Sequence, residues 1–291
     1  MNSVTVLIAA PGSGAISADV VSRLGHAPRW LAEGEAAEFP GLEVGAATGV
    51  VAGLPIDVNA VPLAKRRKKL LLADMDSTMV HQECIDELGV AAGVGDKIKT
   101  ITARAMRGEI DFEGALKERV SLLAGLEQSV IGLLLRERIT FMEGGLQLLA
   151  TMKAHEAYCV LVSGGFSAFA LPIAHALGFD ECHANRLVIQ DGMLTGEVAL
   201  PILGKDAKLA ALQRCCAARG LEPAEAIAVG DGANDIPMLA AAGMGVALHA
   251  KPAVQAQARF VINHGDLTGV LYLQGYQKSE FASIKYRKGP L

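Results

Sequence analysis

Apolar residues follow two rhythms along this chain. Short continuous runs, such as Leu70-Leu71-Leu72-Ala73, Tyr158-Cys159-Val160-Leu161-Val162 and Ala226-Ile227-Ala228-Val229, have the length and density of strands buried on both faces. Other stretches (83–88, 96–107, 112–123 and 127–139) space their apolar residues by three and four, the period of amphipathic helices. Gly93, Gly95, Gly108, Gly125 and Gly144-Gly145 mark the breaks between them. Beyond residue 158 the two rhythms alternate. A helix is expected from Phe166, a short strand at 181–184, and a hairpin of 187–189 and 194–198 turning at Asp191-Gly192. Helices at 205–219 and 236–242 and strands at 245–248 and 260–262 complete the series. This alternation predicts an α/β protein with a Rossmann-like, doubly wound and mainly parallel sheet. The helical stretches at 81–140 would form a cap inserted after the first core strand, and a cap so placed can close over the strand ends.

Residues 1–64 carry a weaker pattern: a strand at 4–8, a helix at 15–24 and a second strand within 45–51, punctuated by five prolines. They are read as a small α/β module with a packing, regulatory or dimerising role, so a homodimer stays open. The basic run Lys65-Arg66-Arg67-Lys68-Lys69 is taken as the solvated end of a linker. Residues 65–80 and 141–291 then make up the core, ending in a loose basic tail from Lys278.

Composition narrows the function. With 51% hydrophobic residues and a mean hydropathy of +0.33, a chain of 291 residues buries a sizeable core, in two or three units. A net charge of −4 and 4% aromatic residues argue against nucleic acid as a partner. No apolar run is long enough to span a bilayer, and the N-terminus lacks a signal-peptide pattern, so a soluble cytoplasmic protein is expected. Five cysteines without a Cys-x-x-Cys spacing fit that reducing compartment.

Three of the apolar strands run into polar signatures: Asp74-Met75-Asp76-Ser77-Thr78, Ser163-Gly164-Gly165 and Gly230-Asp231-Gly232-Ala233-Asn234-Asp235. In an open parallel sheet such strand ends converge on one pocket. Asp74, Asp76, Asp231 and Asp235 would make a hard oxygen site suited to Mg2+. Ser163, with the amides of Gly164 onward, suits a phosphate oxygen, and Lys208 on the following helix adds a positive charge. A cation site, an anion site and a spare carboxylate together point to phosphoryl transfer through an aspartyl-phosphate.

The ordered set Asp74-x-Asp76-x-Thr78, Ser163, Lys208 and Gly230-Asp231-Gly232-x-Asn234-Asp235 resembles the haloacid dehalogenase-type phosphatases. Glu83-Cys84-Ile85-Asp86, Arg119-Val120-Ser121-Leu122-Leu123 and Ala184-Asn185-Arg186-Leu187 extend the likeness to the branch that hydrolyses phosphoserine. It covers roughly residues 70–270; the N-terminal module stands where bacterial relatives carry a small, often ACT-like, domain. The resemblance implies that Asp74 is the nucleophile and Asp76 the acid and then the base. Mg2+ would sit on the Asp74 carboxylate, the Asp76 carbonyl and Asp231, supported by Asp235 and Asn234. Ser163, Gly164 and Lys208 would hold the phosphoryl oxygens. Glu83 would pair with the α-ammonium and Arg119 with the α-carboxylate of O-phospho-L-serine, with Met106 and Phe112 packed over it. Transfer to another alcohol such as homoserine, or an amino-acid-sensing role, are the alternatives.

Overall fold

The computed structural model describes residues 2–107 and 109–284, with the backbone alone at Met106. Its centre is a parallel sheet of six strands: β5 (Leu70–Ala73), β6 (Tyr158–Phe166), β7 (Glu181–Asn185), β10 (Ala226–Gly230), β11 (Met244–Leu248) and β12 (Phe260–Ile262). They run in the spatial order β12-β11-β10-β5-β6-β7, so β5 lies between β10 and β6. Ala73 is level with Val229 on one side and Leu161 on the other. The polar signatures therefore leave neighbouring strands at one height, where the strand order reverses.

The apolar runs are continuous because both faces are covered, and alternate residues face opposite ways. Leu71, Ala73, Leu161, Ile227 and Val229 pack with Leu148, Phe169 and Leu271. These three come from α7 (Gly145–Ala154), α8 (Ser167–Leu177) and α12 (Gly269–Leu273). Leu70, Leu72, Val160, Ala226 and Ala228 pack with Leu212, Met238 and Val254 on the other face. Those belong to α9 (Lys205–Arg219), α10 (Ile236–Ala241) and α11 (Pro252–Gln255). Each fully buried aliphatic side chain contributes roughly 1.5–3 kcal/mol to such a sandwich.

Between β5 and β6 lie α3 (Cys84–Ala91), α4 (Gly95–Met106), α5 (Phe112–Ser121) and α6 (Ser129–Glu137). The hairpin of β8 (Leu187–Gln190) and β9 (Met193–Val198) joins them through backbone bonds from Gly125 to Leu194 and from Gln128 to Gly192. Asp191 and Gly192 both take positive φ, as a primed turn requires.

The N-terminal residues form β1 (Ser3–Ala9), α1 (Ala18–Leu24), β2 (Arg29–Ala32), β3 (Ala36–Phe39), α2 (Val44–Val50) and β4 (Ile56–Pro62). Their antiparallel sheet runs β2-β3-β1-β4. Leu7, Ala37 and Phe39 face Val20, Leu24 and Ala47 of the two helices. Val4, Val6, Ile8 and Val61 face the core instead.

Three expectations need correction. The strand expected within 45–51 is the helix α2, because Ala47 and Val51 lie four apart and turn one face to the sheet. The basic run is not a solvated linker. The Arg66 guanidinium is largely buried, paired with Glu38, and donates to the carbonyls of Leu273 (2.7 Å) and Tyr272 (3.2 Å). Lys68 donates to the Ala224 carbonyl at 2.7 Å. The tail is tied down where it begins, with Lys278 on the Glu35 carboxylate and Glu280 on Arg67; residues 285–291 lie outside the described residues. Among the described residues no helix is long and apolar enough to cross a membrane.

Candidate active site

β5 ends at Ala73, and the chain turns sharply through Ser77, whose φ is +53°. That turn leaves Asp74 buried at the strand end, Asp76 facing a cavity and Thr78 folded back beneath β10. The Thr78 hydroxyl donates to Asp231 at 3.2 Å and holds that carboxylate toward Asp74. Gly232 N–H donates to Asp235 at 2.9 Å. Gly230 is required beside it, since a Cβ there would lie 2.4 Å from the Asp235 carboxyl carbon.

β6 does not stop at Ser163 but continues to Phe166 with a shift in register. Val162 pairs with His183 and Phe166 with Asn185, so four steps on β6 face two on β7. The surplus bulges Ser163, Gly164 and Gly165 out of the ladder toward Asp76, a common use of bulges beside active sites. Gly165 passes so close that a Cβ would meet the Asp76 carboxylate at 2.7 Å. Asn185, absent from the expected site, donates to the carbonyls of Gly164 and Leu203 and accepts from Leu203 N–H. It clamps the bulge to the loop leading into α9.

Lys208, in the second turn of α9, is fully buried. Its Nζ lies 2.8 Å from Asp74 and 2.5 Å from Asp235. Carboxylate oxygens of Asp74, Asp231 and Asp235 approach within 4.8 Å of one another. Burial, aided by the Asp235 charge, pushes the Asp74 carboxyl well above the usual range despite Lys208. Burial and then Asp235 push Asp231 up to about 6. Burial and then Glu83 push Asp76 up to about 7. For Lys208, burial favours the neutral amine, but Asp74 and Asp235 outweigh it and raise its pKa. Three clustered carboxylates, of which the Lys208 ammonium meets only Asp74 and Asp235, leave excess negative charge in a dry place, and a hard divalent cation would compensate it. The donor set fits such an ion.

The cap closes the other side of a cavity of about 1030 Å³. The Asp111 side chain caps α5 by accepting from Gly114 N–H at 2.7 Å, which sets Phe112 at the first helical position. Leu116 and Arg119 follow four and seven residues later on the same face, and all three line the cavity. Phe112 rests against Gly164 and Gly204. Exposed Glu83 lies at the start of α3, holding the Ser77 hydroxyl at 2.8 Å. Asp76 accepts from Cys84 N–H on the same helix at 3.2 Å.

Asp74, Asp76, Glu83, Phe112, Arg119, Ser163, Gly164, Asp231 and Asn234 thus line one cavity, with Lys208 and Asp235 directly behind it. The Met106 side chain lies outside the described residues. Thr102, Lys205 and Lys251 also line the cavity. Nothing in the sequence distinguishes them from other polar helix and loop positions.

A family model for haloacid dehalogenase-like hydrolases matches residues 71–240. The chain belongs to this family. Its relatives include the phosphoserine phosphatase of Streptococcus thermophilus, 45% identical over 70% of this chain and 94% of that one. Another is the phosphoserine phosphatase of Streptomyces coelicolor, 41% identical over 78% of this chain. The match spans 55% of that longer relative. The probable phosphoserine phosphatase from Vibrio cholerae, solved without ligand, superposes with a TM-score of 0.80 at 31% identity. That superposition covers 96% of this chain and 88% of the other, and so takes in the N-terminal sheet.

Proposed function

We propose that this hydrolase converts O-phospho-L-serine and water to L-serine and phosphate, with Asp74 as nucleophile. The observation that carries the reading is the pairing of two ends in one cavity. One end holds Asp74, Asp76, Ser163 and Lys208; the other holds Arg119, whose donors reach only neutral partners, the Ala115 carbonyl at 3.2 Å and the Thr102 hydroxyl at 3.3 Å. Among the described residues no carboxylate lies within ion-pair distance of this half-buried guanidinium. Its planar fork suits the α-carboxylate of an amino acid, and Glu83 across the cavity suits the α-ammonium.

In the first step a carboxylate oxygen of Asp74 bonds to phosphorus as the ester P–O bond breaks, and Asp76 gives its proton to the departing serine oxygen. In the second step Asp76 takes a proton from water, whose oxygen attacks the aspartyl-phosphate and restores Asp74 with release of phosphate. Asp76, raised toward neutrality, is suited to both directions of transfer. Lys208, the Ser163 hydroxyl and the amides after it would hold the phosphoryl oxygens. Mg2+ held by the Asp74 carboxylate, the Asp76 carbonyl and Asp231 would neutralise phosphoryl charge. Asp235, already bound to Lys208 and Gly232 N–H, supports that set from behind. Phe112 and the cap would exclude water other than the attacking one.

The units we propose are an N-terminal module at 1–64, a core at 65–80 and 141–291, and the cap at 81–140. Five free cysteines agree with a cytoplasmic site of action. The test is phosphate release from O-phospho-L-serine with and without Mg2+, for wild type and Asp74→Asn. Metal-dependent release that disappears in the variant is expected. Release from other phosphate esters but not from phosphoserine would overturn the substrate assignment.

A further inference from the structure

Two threonines on α4 behave differently. The Thr100 hydroxyl donates to the Asp96 carbonyl one turn back, at 2.9 Å, the usual refuge of a helical threonine. The Thr102 hydroxyl makes no such bond among the described residues. It accepts from Arg119 Nη1 at 3.3 Å and lines the cavity. Accepting from Arg119 occupies one lone pair and leaves the hydroxyl proton free to point into the cavity. Arg119 is held at two points, by Thr102 on α4 and by the Ala115 carbonyl on its own helix. Arg119 itself lines the same cavity as Thr102.

We infer that Thr102 is a specificity-determining residue: it holds the Arg119 fork in register and donates its own hydroxyl hydrogen to the same substrate carboxylate. The inference rests on the substrate reading above, and it adds a second, neutral donor to the carboxylate end of the cavity. A cation alone attracts any anion. A guanidinium fixed by a hydroxyl that also donates defines where the carboxylate oxygens must lie, and so favours an α-carboxylate over a ligand without one. Valine has nearly the same shape as threonine but cannot accept from Arg119, so it would leave a donor unpaired in a half-buried place.

The experiment compares O-phospho-L-serine with O-phosphoethanolamine, which keeps the phosphate and ammonium but lacks the carboxylate. Steady-state kinetics are measured for wild type, Thr102→Val, Thr102→Ser and Arg119→Ala. Thr102→Val should raise KM for phosphoserine about tenfold or more, with kcat little changed, because the contact is made equally in ground and transition states. KM for phosphoethanolamine should stay within about twofold of wild type. Thr102→Ser, which keeps the hydroxyl, should restore the phosphoserine KM. If Arg119→Ala erases the preference for phosphoserine while Thr102→Val leaves it intact, the role of Thr102 is overturned and the substrate reading survives. Equal losses on both substrates in Thr102→Val and Thr102→Ser would make Thr102 a packing residue and overturn it too. A wild type indifferent to the carboxylate would overturn both readings.

Discussion

The seam between the N-terminal sheet and the core, and the cavity beneath the cap, both bury charge, but they treat it differently. At the seam nearly every buried polar group meets its complement. Glu38 is paired with Arg66 and, at 3.1 Å, with Arg29. Gly275, with φ of +79°, leaves room for the Arg66 guanidinium, since a Cβ there would stand 2.9 Å from Nη1. The Asp57 carboxylate accepts from the backbone N–H groups of Asn263, His264 and Gly265 at 2.8–3.0 Å. Asn59 binds both the N–H and the carbonyl of Val261, capping the outer edge of β12. An uncapped edge strand is a template for unwanted pairing, and here the side chains of β4 cover it. In the cavity, Lys208 pairs with Asp74 and Asp235 and leaves Asp231 to the Thr78 hydroxyl, while among the described residues Arg119 bonds only neutral groups, with Asp86 and Glu83 beyond ion-pair distance. Buried charge that is matched inside the protein holds the fold; buried charge left unmatched is matched by what binds. Losing a partner from the first destabilises the native state, whereas the second costs stability until metal and substrate arrive.

Replacing Lys208 by Met should give the largest effect, because it strands Asp74 and Asp235 without their cation. Urea denaturation should show a loss of about 3–5 kcal/mol, and phosphate release should fall by more than about a thousandfold. A variant of near wild-type stability would mean that the cluster is not held by this pair.

Asp57→Ala tests the seam. It orphans three backbone donors, so stability should fall by about 2–3 kcal/mol. Activity per folded molecule, assayed well below the melting temperature, should stay at the wild-type level. A parallel fall in kcat would show that seam and cavity are coupled.

Asp231→Asn should behave in the opposite sense. It removes one charge from an over-negative cluster while keeping an acceptor for Thr78. In chelated protein its Tm should match or exceed that of wild type, by the equivalent of about 1 kcal/mol. Addition of Mg2+ should raise Tm in wild type and not in this variant. A metal-free variant less stable than wild type would break the comparison.

Lys68 is the exception at the seam. Among the described residues its ammonium meets only the Ala224 carbonyl, and burial, with the nearby Arg259 charge, lowers its pKa to about 8. The unfolded chain keeps that proton to about pH 10. The folded state therefore gains stability as pH rises from about 8 to about 10 and lacks it below. Lys68→Met should be slightly more stable at neutral pH, and a melting series across that range should show the rise reduced relative to wild type.

The core strands and nearly all of the site were legible in the sequence. A strand buried on both faces is a continuous apolar run, and a strand end that meets a ligand is where that run turns polar. Leu70 to Thr78 contains both signals in nine residues. The cap helices could be read from spacing, and the hairpin from Asp191-Gly192. The N-terminal module is hard to recognise in the sequence because its strands are short and partly polar: Asp57 and Asn59 interrupt β4, and β3 is Ala-Ala-Glu-Phe. Their polar residues are satisfied by the core, which a local pattern cannot display. The basic run resembles a solvated linker for the same reason. Glu38 and the Leu273 carbonyl, which hold Arg66, lie 28 and 207 residues away.

By itself, then, the sequence determined the alternating α/β core and the order of the strand-end groups, because both depend on residues close together in the chain. Tertiary structure decided which polar groups became paired. Only the strand order β10-β5-β6 places Asp231 and Ser163 on either side of Asp74. Only the packing of α4 on α5 turns Thr102, an ordinary helical threonine in sequence, toward Arg119. Charge compensation depends on distance in space, and distance along the chain does not predict it.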